Sequence, residues 1–202
     1  GMEFNINSRQ TKDIVRGAPG YRPTLNVYMW ADAQAIARVA DLAGDRATAD
    51  AFRARAAGIK QQLQKRLWDP NREFFFPMSR NDEQDNDGNV VKARTLPHQT
   101  GRFAGSKHGR EEIGYVPWQF NLPEPGYEAA WKFLMDRDYF YAERGPTTVE
   151  RNDPLFLLQK TCCWWSGQSW PYATTQTLKA MANLLQNYDQ HVVTRDDYVK
   201  LL

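Results

Sequence analysis

The stretch LNVYMWADAQAIARVADLAGDRATADAFRARAAGIKQQLQKRLW, residues 25–68, sets the fold class. From about Leu25 to Ala43 the apolar positions Met29, Ile36, Val39, Ala40 and Ala43 recur at helical spacing, and Gly44 supplies a stop. Asp45 then caps a second helix with the stripe Phe52, Ala56, Ile59, Leu63 and Leu67, which Trp68-Asp69-Pro70-Asn71 ends in a turn. Two helices joined by so short a connection pack antiparallel as a hairpin. The class predicted is all-α.

Downstream, Glu73 to Met78 (EFFFPM) is too short and too aromatic for another such helix and reads as a strand. Residues 79–110 are polar, Gly-containing and aperiodic, a long excursion rather than a repeat unit. Within it Glu83, Asp85, Asp87 and Gly88 occupy the first, third, fifth and sixth positions of an EF-hand loop. However, Glu stands where Asp belongs, and Arg94 takes the twelfth position, where a bidentate carboxylate is required. The segment reads as a solvated acidic turn. A third helix is predicted from about Pro125 to Met135, with Tyr127, Ala130, Trp131 and Leu134 on one face, and a fourth from about Thr174 to Tyr188. Thr194 reads as an N-cap with Asp196 and Asp197 in the first turn, so the sequence stops inside a helix that has only begun, as a piece of a larger domain would. No spacing of 33 to 47 residues repeats with matching residues, which argues against a tetratricopeptide or HEAT array.

With 26 Lys+Arg against 24 Asp+Glu, interspersed, the chain has no basic stripe to track a phosphate backbone, and nucleic acid is not an expected partner. No apolar run approaches the roughly 18 residues of a membrane helix, so no membrane partner is expected either. A soluble chain is the expectation; a periplasmic or secreted parent is one reading of an open compartment, and oligomeric state is not legible. Adjacent Cys162 and Cys163 rarely bridge each other and lack a second pair for zinc, so they read as two small buried side chains. His98, His108 and His191 lie in polar stretches at no metal-binding spacing and read as solvated. No metal or other cofactor is expected.

Three segments are too specific for ordinary helix or loop: Gly114-Tyr-Val-Pro-Trp-Gln-Phe-Asn-Leu-Pro123, Gly145-Pro-Thr-Thr-Val-Glu-Arg151 and Cys162-Cys-Trp-Trp-Ser-Gly-Gln-Ser-Trp-Pro-Tyr172. Each reads as non-helical and mixes flat aromatic, amide, hydroxyl and glycine positions. Sugars need that mixture, because their C–H faces pack on rings while their hydroxyls require directed donors and acceptors. The bland alternative is that Trp and Pro brace loops against helix ends.

These segments resemble the catalytic domain of glycoside hydrolase family 63 and its mannosylglycerate-hydrolase-like relatives, along essentially the whole chain. Trp165-Ser-Gly-Gln-Ser-Trp170 is similar to the family's Trp-Arg-Gly-Pro-x-Trp stretch, and Gly114 to Pro123 to its Gly-Tyr-x-Pro-Trp-x-Phe loop. The resemblance implies an (α/α)6 toroid, the six-hairpin glycosidase fold, with residues 1–202 part of one catalytic domain. At about 40 residues per hairpin six would need roughly 240, so the toroid is expected to be incomplete here and the fragment inactive alone. The implied activity is an inverting hydrolysis of an α-linked glucoside, mannoside or related saccharide. Ser166 and Gln168 stand where Arg and Pro are commoner in glucosidase members, so glucosidase specificity does not carry over.

On the same resemblance, Gly1-Met-Glu-Phe-Asn5 is similar to the stretch carrying the general acid, which makes Glu3 the acid candidate. The chemistry wants a carboxylic acid of raised pKa on the glycosidic oxygen and a carboxylate base activating water from the opposite face. Glu150 is the weaker in-chain candidate for that base, since Glu150-Arg151 also reads as a local ion pair and Asp153 before Pro154 as a helix start; the base is expected outside this chain. Substrate-binding candidates are Arg22, Tyr28 and Trp30 around the first helix, Trp118 and Gln119 in the Gly114–Pro123 motif, and Trp164, Trp165, Gly167, Gln168 and Trp170 before the fourth helix. Two other classes compete: a toroid-fold polysaccharide lyase or epimerase, which wants His or Tyr bases, and a non-catalytic carbohydrate-binding module that keeps the aromatic platform alone.

Overall fold

The computed structural model describes residues 20–84, 88–157 and 165–202. Helices α1 (Pro23–Leu42) and α2 (Arg46–Leu67) form the expected hairpin. Gly44 turns the chain at φ +76°, the Asp45 N–H donates to the Ala40 carbonyl at 2.9 Å, and the Asp45 carboxylate accepts from the Thr48 N–H at 3.0 Å. The buried positions are mostly small: Val27, Ala33, Ala37 and Ala40 on α1, with Ala49, Ala56, Leu63 and Leu67 on α2. Alanines let the two backbones approach closely. The stripe read from the sequence on α1 is therefore not the buried one: Met29, Ile36 and Val39 are 46, 40 and 65% exposed. Helix α1 is apolar on two flanks, and periodicity alone does not say which flank finds a partner within this chain.

Six two-residue strands pair as antiparallel ladders among the described residues: β1 (Gly20–Tyr21) with β4 (Met78–Ser79), β2 (Trp68–Asp69) with β3 (Phe74–Phe75), and β5 (Glu83–Gln84) with β6 (Val90–Val91). The β2–β3 register sets Trp68 opposite Phe75 and Asp69 opposite Phe74, across a turn in which Asp69 accepts from the N–H groups of Asn71 and Arg72. Strand β3 delivers Phe74, Phe75 and Phe76, all fully buried, to the core, where Tyr115, Trp118, Trp131 and Phe140 meet them. Phe74 stands edge-on to Tyr115 at 5.1 Å and stacks on Phe140 at 5.8 Å.

Two segments differ from the sequence reading. The Gly114–Pro123 motif, expected as loop, lies largely in a 3-10 helix, Glu112–Phe120. Pro117 removes an N–H inside it, and Gly114 lies against the phenylalanines so tightly that a Cβ would sit 2.2 Å from the Phe74 ring and 2.6 Å from the Phe75 carbonyl. The helix expected over Pro125–Met135 is a 3-10 turn, Glu128–Phe133. Gly126 at φ +109° precedes it, and Asp136, accepting from the Asp138 N–H, follows, so too few residues remain for an α-helical nucleus. Helix α3 (Pro171–Asn187) then packs on the first 3-10 segment: Asn183 donates to the carbonyls of Trp118 (3.0 Å) and Gln119 (2.8 Å), and the Tyr188 hydroxyl donates to that of Pro123. Helix α4 (Arg195–Leu201) opens on a capping box between Thr194 and Asp197.

Candidate functional site

Two helices begin alike. Helix α1 starts at Pro23 behind Arg22 (φ −115°, ψ 144°), and α3 at Pro171 behind Trp170 (φ −118°, ψ 124°). A proline at the first helical position forces the residue before it into extended backbone, so Arg22 and Trp170 close loops rather than open helices. Neither caps its helix with a side-chain hydrogen bond, and neither first turn is acidic.

The loop leading into α3 carries the aromatic platform. The indoles of Trp165 and Trp170, both partly buried, lie nearly parallel, with centroids 5.9 Å apart and planes 11° off. The Tyr172 ring, exposed, stands edge-on to Trp165 at 6.4 Å. The Gly145–Glu150 segment splints this loop from behind: the Thr148 N–H donates to the Gln168 carbonyl (3.2 Å), the Gly167 N–H to Thr148 Oγ1 (3.0 Å), and the Ser169 hydroxyl to the Gly145 carbonyl (2.8 Å). Gly167 has φ +135°, and a Cβ on it would lie 2.6 Å from the Phe156 ring, so only glycine fits. Gln176 of α3 donates to the Tyr28 hydroxyl of α1 and, at 3.3 Å, to the Tyr172 hydroxyl. Tyr28 thereby joins the platform, backed by an edge-on Phe120 ring.

A carboxyl unnoticed in the sequence lies under α3. Glu112 is 1% exposed; its Oε1 accepts from the Thr177 hydroxyl at 2.8 Å, and its Oε2 has no hydrogen-bond partner among the described residues. Burial pushes its pKa well above the usual carboxylate value, and the Thr177 bond opposes this without overcoming it. The signal available in sequence was a pair of acids, Glu111-Glu112, opening an otherwise apolar run.

An ionic network anchors the excursion to the platform's splint. Glu150, 0% exposed, accepts from the Arg110 N–H on Oε1 and from the Arg110 guanidinium on Oε2, each at 2.9 Å. Arg110 also donates to the Arg72 carbonyl, and Arg72 pairs with Asp69 at 2.7 Å while donating to the carbonyls of Pro97 and His108. His108 Nδ1 lies 3.6 Å from Glu150 Oε2, beyond hydrogen-bond distance, and the Glu150 carboxylate beside it raises the imidazole pKa. The ion partner of Glu150 is thus Arg110 and not Arg151, which donates to the Tyr141 carbonyl. His98 is likewise not solvated: it is 3% exposed, with Nε2 2.8 Å from Asp153. Asp153 also accepts from the Leu155 N–H within a turn, so it starts no helix.

Of the residues singled out in the sequence, Tyr28, Trp165, Gly167, Gln168 and Trp170 come together around the start of α3. Arg22 is buried at the entry to α1, and Trp30 packs partly buried against the core. Trp118 is fully buried, edge-on to Trp131 at 5.6 Å and to Phe75, which makes it a core residue rather than a sugar-facing one. Gln119 has a buried Oε1 without a partner among the described residues. Glu3, Trp164, Cys162, Cys163, Asp85 and Asp87 lie outside the described residues. Among the described residues no group of three His, Cys, Asp or Glu side chains is placed to hold a metal, and no helix is long and apolar enough to cross a membrane.

A helical hairpin, a third long helix and an aromatic loop at that helix's start define a mostly helical domain. Over residues 3–202 the chain matches the family model described as mannosylglycerate hydrolase MGH1-like glycoside hydrolase domain, and it belongs to that family. Among solved structures it is similar to a chain named "Sialidase", at 34% identity and a TM-score of 0.77, over 97% of this chain and 16% of that one. The chain thus spans 16% of that relative's length. No curated protein matches it. The all-α class and the partial helical toroid expected from the sequence agree with this likeness.

Proposed function

We propose that the chain forms the sugar-gripping part of an inverting glycosidase acting on an α-linked glucoside, mannoside or related saccharide. The observation that carries this reading is the parallel Trp165–Trp170 pair at the start of α3, tied through Gln176 to Tyr28. An indole face takes the C–H face of a pyranose, and the Gln168 amide with the Tyr28 and Tyr172 hydroxyls offers directed partners for its hydroxyls. Arg22, Trp30 and Gln119 are assigned as secondary contacts on the family resemblance alone. Glu3 is assigned the general-acid role, with a base about 6.5–9.5 Å across the ring from it, supplied by another part of the toroid. Glu150 does not suit that task, because Arg110 engages both its oxygens and it has no exposed surface.

The test is Trp170→Ala in the intact enzyme. KM for a neutral oligosaccharide is expected to rise at least tenfold with the fold intact by circular dichroism; unchanged KM and kcat would remove the platform from the substrate site. In parallel, Glu3→Gln is expected to lower kcat by about 10²–10⁴ on a substrate with a poor leaving group. NMR of the first-formed anomer reads inversion directly. A near-ultraviolet-absorbing product would select the lyase reading, and sugar binding without turnover the binding module.

A further inference from the structure

A cavity of about 610 Å³ opens along α2, within the range of roughly 300–1,000 Å³ typical of small-molecule sites. Its α2 wall is Arg55, Gly58, Ile59, Gln62 and Arg66, a spacing that places all five on one helix face. Across from them stand Tyr21 of β1, Asn26 of α1 and Arg94 from the excursion. Asn26 and Tyr28 are two residues apart, about 200° around α1, so the cavity and the tryptophan loop occupy opposite flanks of that helix.

The lining is charged in one sense only. Arg55, Arg66 and Arg94 border the cavity, no Asp or Glu does, and among the described residues none of the three is ion-paired. By contrast Arg53, Arg72 and Arg110 each have a carboxylate partner. Arg66 is held in place by donating to Gln62 Oε1 at 2.5 Å. Asn26 Nδ2 is engaged with the Arg22 carbonyl at 2.7 Å. Of the two side-chain amides, these bonds leave Asn26 Oδ1 as an acceptor and Gln62 Nε2 as a donor for a ligand, beside an apolar floor of Leu63 and Met78. Gly58 completes the picture. Glycine is disfavoured inside a helix, yet here it lies mid-way along α2, and a Cβ added to it would meet no heavy atom within 4 Å. Its missing side chain keeps that wall of the cavity open.

We propose that this cavity is a second saccharide subsite that takes a sugar bearing a carboxylate. Exposed guanidinium groups that have no ion partner among the described residues match a carboxylate in planar, bidentate fashion. The half-exposed Tyr21 ring and the apolar floor suit a pyranose C–H face, and the two amide atoms suit its hydroxyls. The choice of a sugar rests on the glycosidase reading above, whereas the choice of an anion rests on the arginines.

The experiment is calorimetric titration of the intact protein with D-glucuronate, D-glucose and inorganic sulfate. Glucuronate is expected to saturate and to bind at least tenfold more tightly than either of the others. Gly58→Leu, which fills the cavity without touching a charge, and the double substitution Arg55→Ala/Arg66→Ala should each weaken glucuronate at least tenfold. Both should leave turnover of a neutral substrate and the circular dichroism spectrum unchanged. Sulfate binding as tightly as glucuronate, undiminished affinity in Gly58→Leu, or no binding at all would each overturn the assignment. Glucuronate binding together with a failed Trp170→Ala test would remove the tryptophan platform from the substrate site and spare this assignment.

Discussion

Replacing Glu112 by glutamine isolates a single buried proton. The carboxyl is 1% exposed, holds one hydrogen bond to Thr177, and is kept largely neutral by burial, with a pKa well above the 4.5 of an unperturbed glutamate. Above that pH the unfolded chain releases the proton while the folded chain keeps it. The folded state then binds more protons, so its stability is full below about 4.5 and falls as pH rises toward the folded pKa. Each pH unit in that window corresponds to about 1.4 kcal/mol. Glutamine is nearly isosteric, preserves a carbonyl acceptor for Thr177 and has no proton to keep. The variant should therefore match the wild type near pH 4.5 and gain on it by about 1.4 kcal/mol per pH unit above, until the wild-type carboxyl ionises. In Tm that is roughly 2–4 °C per kcal/mol for a chain of this size. His108, whose raised pKa also removes stability as pH rises above its ordinary 6.5, is common to both proteins and cancels in the difference. Unfolding of both proteins followed from pH 4.5 to 8 makes the comparison. A stability difference that stays constant with pH would refute the reasoning, because it would mean that Glu112 titrates normally in the folded state.

Gly167→Ala forces a side chain onto a φ of +135° and a Cβ within 2.6 Å of the Phe156 ring, so it should destabilise by at least about 1–3 kcal/mol and raise KM by disturbing the Trp165–Trp170 pair; wild-type Tm and KM together would rule this out. Arg110→Met leaves Glu150 buried without its cation and should cost about 3–5 kcal/mol, part of which returns when Glu150→Gln is added. Simple additivity of the two substitutions in urea unfolding would deny their coupling. Gly58→Ala, inside α2 with no neighbour within 4 Å of the new methyl, should stabilise by about 0.5–1 kcal/mol, and an unchanged or lower Tm would contradict it.

What the amino-acid order determined by itself is local. Asp45 with Thr48, Thr194 with Asp197, Gly44 and the Xaa-Pro entries placed the helix ends, because caps and turn residues act within a few bonds of the backbone they satisfy. The extended EFFFPM segment and the non-helical aromatic loop around Trp165 and Trp170 were legible as local conformations for the same reason. The tertiary structure decided which side of each element is covered and which charge meets which. It buried the alanine face of α1 and left Met29, Ile36 and Val39 exposed, and it wound Pro125–Met135 into a short 3-10 turn. Trp118 went to the core, His98 was paired with Asp153 fifty-five residues away, and Glu150 was given to Arg110 instead of its neighbour. Such pairings depend on desolvation and on distances between segments remote in sequence, which no local pattern encodes. Glu112 shows this most plainly: the acid pair Glu111-Glu112 opening an apolar run is visible in the sequence, but the carboxyl is held neutral only once Thr177 and the rest of α3 close over it.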